Sequence, residues 1–292
     1  MNTLDTQYIT IVKKILEQGI DRDDRTNIGS RAIWGDSLTL NLEDGFPALT
    51  CRKINPRIAF EEMMWIIRGQ TDSKILENKN INIWKGNTSR EFLDGRGLYD
   101  LPEGHIGKGY GFQMRNFNGT YGVDYDTHHG GVDQFKELLK SLKEDPNGRR
   151  HIISLWNPLQ SEEMRLVPCH LYQQYQILDG KLNSSFLMRS WDFIYGAPYN
   201  IMGYAFLNYI ISKYLNLVPG KLFAVGMDIH IYKNQIDMAN DIINRSFYDL
   251  PTIEINKNLT NLDDILSLEY SDIKIKNYVS NPDFVNKPPM AV

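Results

Sequence analysis

Apolar residues recur at helical spacing from Thr6 to Gly19, and the closing glycine is the residue type that ends helices in a left-handed conformation. Ala32 to Leu42 alternates as a strand does. A strongly apolar helix is expected from Pro56, through Phe60, Met63, Met64, Trp65, Ile66 and Ile67, to a stop at Gly69. Glu61 and Glu62 fall near its first turn, where acids commonly decorate the helix dipole and in some proteins belong to a site. From Lys85 to Gly131 periodicity fades and Gly, Asn and Asp accumulate, the pattern of long loops that carry function. Val132 to Lys143 is amphipathic and ends at the turn Asp145-Pro146-Asn147-Gly148, beyond which a strand is expected from His151 to Trp156. Tyr172 to Leu178 and Leu182 to Arg189 flank Asp179-Gly180, a hairpin signal. A long apolar helix follows from Asn200 to Leu215, its first residue suited to an N-cap. Lys221 to Tyr232 is a last long strand, with His230 and Tyr232 on one face.

The order of elements gives an α+β class, its second half mostly strands packed against several helices. No repeat or low-complexity linker divides the 292 residues, so a single domain over 1–292 is expected. The polar start MNTLDTQYIT has no apolar core of a signal peptide, and no apolar run has the length of a membrane span. A soluble, cytoplasmic protein is expected. Two cysteines, Cys51 and Cys169, make neither a disulfide framework nor a metal set. A net charge of -4 argues against a protein that coats nucleic acid, so a phosphate ligand needs a local cluster of cations.

Cys169, in Pro168-Cys169-His170, is either an activated thiol or a buried small hydrophobe. Arg25, Arg149, Arg150 and Arg189 each lie beside a turn or strand end. If they converge, they suit a phosphate dianion, and their field favours the thiolate; otherwise they are unrelated surface cations. Arg189-Ser190-Trp191-Asp192 precedes Gly196-Ala197-Pro198-Tyr199-Asn200, joining a strand end, a glycine for close approach and an amide. The Asn200 side chain offers a donor beside an acceptor, which matches the O4 and N3–H edge of uracil. His105, His128, His129 and His151 show no ligand spacing, and His128-His129 reads as a solvated loop pair.

With these residues the chain resembles the folate-dependent thymidylate synthase family from about Val12 to its end. The match includes Asp24-Arg25-Thr26, Asn82-Ile83-Trp84, Gly111-Phe112-Gln113, Arg149-Arg150, Trp156-Asn157, Pro168-Cys169-His170, Arg189-Ser190-x-Asp192, Gly196-x-Pro198-x-Asn200-Ile201, Asp228-x-His230-x-Tyr232 and Met290-Ala291-Val292. The resemblance implies a large mixed sheet packed with helices, one sheet face forming the interface of a homodimer. It implies that Cys169 adds to C6 of a pyrimidine nucleotide, dUMP, whose C5 then attacks the co-substrate 5,10-methylenetetrahydrofolate, with no metal, membrane or nucleic acid required. Arg25, Arg189 and Ser190 would hold the phosphate, joined by Arg149 and Arg150 of a partner subunit. His230 and Tyr232 would bind the sugar, and Asn200 the base. Glu62, Tyr110 and His170 would manage protons. Asp192 would bind the pterin, in a folate pocket bounded by Trp84, Leu166, Tyr195, Gly196 and Tyr199 and closed by the Val292 carboxylate.

Lys85, Lys108-Gly109, Met188, Tyr195, Met227 and Gln235 depart from the commonest pattern of that family, at places where the folate is expected to lie. Met188 and Tyr195 are also similar to phage-type nucleotide hydroxymethylases, in which water rather than hydride ends the reaction. Two enzymatic outcomes therefore stand open: a methyl product or a hydroxymethyl product, the latter from dUMP or dCMP and possible in a phage-encoded protein. A nucleotide- or RNA-binding protein that has lost turnover is the alternative from another class.

Overall fold

In the computed structural model, which describes residues 2–123 and 128–290, Asn2 caps the first helix, α1 (Thr3–Gln18), by accepting from the Asp5 N–H. Gly19 then has φ -68° and ψ 146°. The expected left-handed cap is absent because the chain runs straight on into β1 (Ile20–Arg22) instead of reversing. β2 (Ser30–Asn41) leads to α2 (Pro56–Ile67), which carries proline in its first turn. Short helices α3 (Lys74–Glu77), α4 (Arg90–Asp94) and α5 (Gly111–Asn116) punctuate the region expected to be loops. α6 (Gln134–Glu144) buries Phe135, Leu138, Leu139 and Leu142 and precedes β3 (Ile152–Ser154).

β4 (His170–Leu178) and β5 (Lys181–Asp192) form the expected hairpin. Asp179 and Gly180 both take positive φ, 51° and 70°, as a two-residue turn between twisted strands requires. From β5 the chain crosses through α7 (Gly196–Leu215) to β6 (Val218–Tyr232), which lies parallel to β5. α8 (Ile236–Ile242), β7 (Thr252–Ile255), α9 (Leu262–Leu266) and β8 (Ile273–Lys276) complete the described elements. The first six strands make one sheet in the order β1-β2-β6-β5-β4-β3, antiparallel except at β5–β6. The class is α+β with a large mixed sheet, as expected.

Among the described residues, helices cover one sheet face and not the other. Leu38, Ala224 and Phe186 are register partners buried beneath α1 and α7, and Leu40 faces Leu222 one step along. On the opposite face Phe223 is 42% exposed, Ile152 48% and Tyr172 36%, with Val225 and Leu187 beside them. Among the described residues no helix is long and apolar enough to cross a membrane.

Candidate active site

The carboxyl ends of β5 and β6 and the first turns of α7 enclose a cavity of about 600 Å³, within the range of small-molecule sites. Cys169 enters it from the residue before β4, and two neighbours fix its backbone. Its N–H donates to the Tyr110 hydroxyl at 3.1 Å, and its carbonyl accepts from the Arg189 N–H at 2.9 Å. The Arg189 guanidinium donates to the Pro168 and Val167 carbonyls, both at 2.9 Å, pinning the segment that leads to the thiol. Tyr110 has φ 40°, a strained value for a bulky residue. Edge contacts to Trp84 at 5.0 Å and to His170 at 5.4 Å hold its ring in place.

Arg25 and Arg189 line the cavity, whereas Arg149 and Arg150 are exposed away from it. The four arginines therefore do not converge within one chain. Nor does the cationic field decide the state of the thiol. Burial pushes Cys169 above its ordinary value, and Arg189, the Tyr110 hydrogen bond and Arg25 oppose it without prevailing.

Glu62 is in the second turn of α2, since the helix begins at Pro56, so dipole decoration does not explain it. It borders the cavity and accepts from the Trp84 indole at 3.0 Å. Burial raises its carboxyl to about 7, against the lowering effect of that bond. Glu61, by contrast, is buried against Lys79 at 2.7 Å.

Asn200 lies inside α7, four residues past its start, and not at an N-cap, because the helix begins at Gly196. Its Oδ1 accepts from the Trp191 indole at 3.0 Å, and its Nδ2 meets His170 Nε2 at 3.2 Å. His170 Nδ1 lies 2.9 Å from the Tyr204 hydroxyl, and burial lowers this imidazole to about 4, so it is neutral. At the end of β6, Asp228 binds His230 Nδ1 at 2.8 Å and pairs with Arg22. His230 Nε2 is left on the side of the ring away from that carboxylate. The His230 and Tyr232 rings meet edge-on at 5.1 Å, both on the cavity.

Asp192 Oδ1 accepts from the Ile194 and Tyr195 N–H groups at 3.1 and 3.0 Å, leading the chain into α7, and Oδ2 meets Gln235 at 3.4 Å. Ser190, Trp84, Leu166, Tyr195, Gly196 and Tyr199 also line the cavity. The Tyr195 hydroxyl donates to the Pro288 carbonyl at 2.7 Å, tying down the C-terminal segment, whose Lys287 and Met290 border the same space. Val292 lies outside the described residues.

Of the six places that depart from the family pattern, only Met188 and Tyr195 line the cavity. Lys85 is exposed and reaches toward Glu77, Lys108 pairs with Glu163, and Met227 faces elsewhere; Gln235 touches the site only through Asp192. Their expected clustering is thus limited to two side chains. Of the expected solvated pair, His129 is exposed, while His128 is half-buried: it accepts from the Gly122 N–H at 3.0 Å and stands edge-on to Phe112 at 4.9 Å. Sequence reasoning missed Arg52 and Asn87 on the cavity wall. Arg52 is 2% exposed and donates to the Ile194 carbonyl at 2.5 Å. A basic pair, Arg52-Lys53, next to an apolar run was its only signal.

The cavity thus brings together the half-buried Cys169 thiol, the strained Tyr110 and the Asn200 amide. The family model of thymidylate synthase matches residues 6–292, and the chain belongs to the thymidylate synthase family, enzymes of methyltransferase type. It is 37% identical over 287 residues to the thymidylate synthase of Herpesvirus ateles, covering 98% of this chain and 97% of the relative. It is also 38% identical to the bifunctional dihydrofolate reductase-thymidylate synthase of Paramecium tetraurelia and 37% identical to that of Plasmodium chabaudi. The match covers 94% of this chain in both cases, and the chain spans 59% and 46% of those two proteins, about half their length.

Proposed function

We propose that this protein is a thymidylate synthase, converting dUMP and 5,10-methylenetetrahydrofolate to dTMP and dihydrofolate. The observation that carries the proposal is the placement of Cys169 between Tyr110 and Arg189, on the same cavity as Asn200 and the His230/Tyr232 pair. As thiolate, Cys169 adds to C6 of uracil and C5 becomes nucleophilic, the charge passing to O4. Arg25, Arg189 and Ser190 hold the phosphate. His230 Nε2 and the Tyr232 hydroxyl take the sugar hydroxyl. Glu62, near its midpoint at neutral pH, gives and recovers a proton at O4. Tyr110 helps remove the C5 proton, its hydroxyl already held at the Cys169 backbone.

Bound folate supplies the one-carbon electrophile and then the hydride. The walls suit a flat heteroaromatic: Trp84, Leu166, Tyr195, Gly196 and Tyr199 surround one end, with Asp192 available to a pterin N–H. Both departures that line the cavity support hydride over water as the last reactant. Met188 is an apolar side chain, 2% exposed, and Tyr195 fastens the C-terminal segment, whose Lys287 and Met290 line the cavity. The synthase named in the herpesvirus relative agrees with that outcome.

The active unit is a homodimer. Phe223, Val225, Leu187, Tyr172 and Ile152 form an apolar sheet face without a helix over it, and burying it in a second copy would bring Arg149 and Arg150 to the partner's phosphate site. Product mass with both substrates tests the reaction: a mass increase of one methylene, as a methyl replaces the C5 hydrogen, with the absorbance rise of dihydrofolate, is expected. A hydroxymethyl product without that rise would refute hydride transfer, and absence of tritium release from C5-labelled dUMP would refute catalysis altogether.

A further inference from the structure

Trp191 lies in β5, fully buried, and points its indole at the side chain proposed to read the base. The ring cannot turn. It stands edge-on to Phe186 at 5.8 Å and to Phe193 at 5.3 Å. Gly226 on the neighbouring strand leaves room for it, since a Cβ there would lie 2.6 Å from Trp191 Cε3. An indole N–H only donates, so the Asn200 atom 3.0 Å away must be the amide oxygen. The Asn200 Nδ2 group then donates to His170 Nε2, and His170 Nδ1–H donates to Tyr204. The histidine end of this chain is reversible, because imidazole exchanges tautomers and the Tyr204 hydroxyl donates or accepts. Trp191 alone gives the chain its direction.

We infer that Trp191 is a positioning residue that fixes the sense of the Asn200 amide and so makes the site take uracil and refuse cytosine. With one oxygen lone pair committed to Trp191 and one N–H to His170, Asn200 keeps one acceptor and one donor for the base. Uracil offers the complement, N3–H and O4. Cytosine offers a bare N3 and an amino group, and pairing with it needs the reversed amide. Reversal would set the Asn200 amino group against the Trp191 N–H, two donors facing each other, with the buried indole left unsatisfied. The inference rests on the dUMP reading above and names the group that enforces its choice of base.

Trp191→Phe and Trp191→Met remove the donor and keep apolar bulk. Binding of dUMP and dCMP is measured by calorimetry on the full chain and on each variant. The preference for dUMP is expected to fall at least about tenfold in both variants, largely through a gain in dCMP affinity, because the unsatisfied donor is gone. Tyr204→Phe, at the reversible end, is expected to leave the preference within about twofold. A purely structural role would weaken both nucleotides alike, and an unchanged preference in whichever Trp191 variant folds overturns the inference. Without any substitution, the Trp191 indole proton of the wild type should remain protected from exchange when dUMP binds, and rapid exchange also overturns it. If the wild type binds neither nucleotide, the dUMP reading falls with it. Selective wild-type binding with unaltered variants sinks Trp191 alone.

Discussion

At the scale of single residues, burial raises both Cys169 and Glu62 above their ordinary values. Because burial outweighs the arginines at Cys169, the thiol is expected to react slowly with iodoacetamide at pH 7 and faster as pH rises past 9, the ordinary thiol value. Fast alkylation at neutral pH would contradict this. Cys169→Ala should abolish turnover while leaving dUMP affinity within a few fold, and residual turnover would remove it as the nucleophile. Glu62 titrates near 4.5 when unfolded and at about 7 when folded. The folded state therefore holds the proton more tightly, and stability from this group is present below about 4.5 and lost as pH rises through 7. Glu62→Gln escapes that loss. It should be more stable than the wild type at pH 8 by about 1–3 kcal/mol, less so at pH 5, and much less active. Urea unfolding at the two pH values checks the difference, which must grow with pH.

At the scale of elements, the site is set by how strand ends meet helix starts. β5 and β6 run parallel, so α7 must cross between them, and its first turns arrive over the carboxyl ends of both strands. Close packing there leaves no room to spare. Gly226→Ala would place a methyl against Trp191 and Ile229, both at 2.6 Å, and should cost about 1–3 kcal/mol of stability in denaturant titration. The Tyr195 hydroxyl joins the start of α7 to the C-terminal segment. Tyr195→Phe removes that bond, worth about 1 kcal/mol, and should raise the folate KM several fold with little effect on dUMP binding. An equal rise for both substrates would mean that Tyr195 shapes the cavity in general and does not hold the strap.

At the scale of the whole molecule, the proposed dimer is argued from a sheet with one exposed apolar face and from Arg149 and Arg150 lying outside their own cavity. Phe223→Glu, exposed on that face, should convert a dimer to a folded, inactive monomer, read by light scattering together with circular dichroism. Arg150→Ala and Cys169→Ala, each inactive alone, should regain part of the activity when mixed, because one hybrid site then holds both an intact thiol and intact partner arginines. A fully active Phe223→Glu monomer would exclude shared sites.

The α+β class, the Asp179-Gly180 hairpin, the apolar α2 and the shared face of His230 and Tyr232 were legible in the chain, because each depends on local periodicity or on the φ of one or two residues. The proposed nucleophile could be read only through ordered motifs matching a family, since Pro168-Cys169-His170 by itself is compatible with a buried structural thiol. Packing decided the rest. Glu62 reached the cavity because α2 starts at Pro56 and carries it past the first turn to Trp84, and the four arginines divided into two lining the cavity and two outside it. The state of the Cys169 thiol followed from burial, a sum over neighbours distant in sequence. The sense of the Asn200 amide followed from an indole that no spacing rule connects to it: hydrogen-bond direction at a symmetric side chain is set by the partner across the fold.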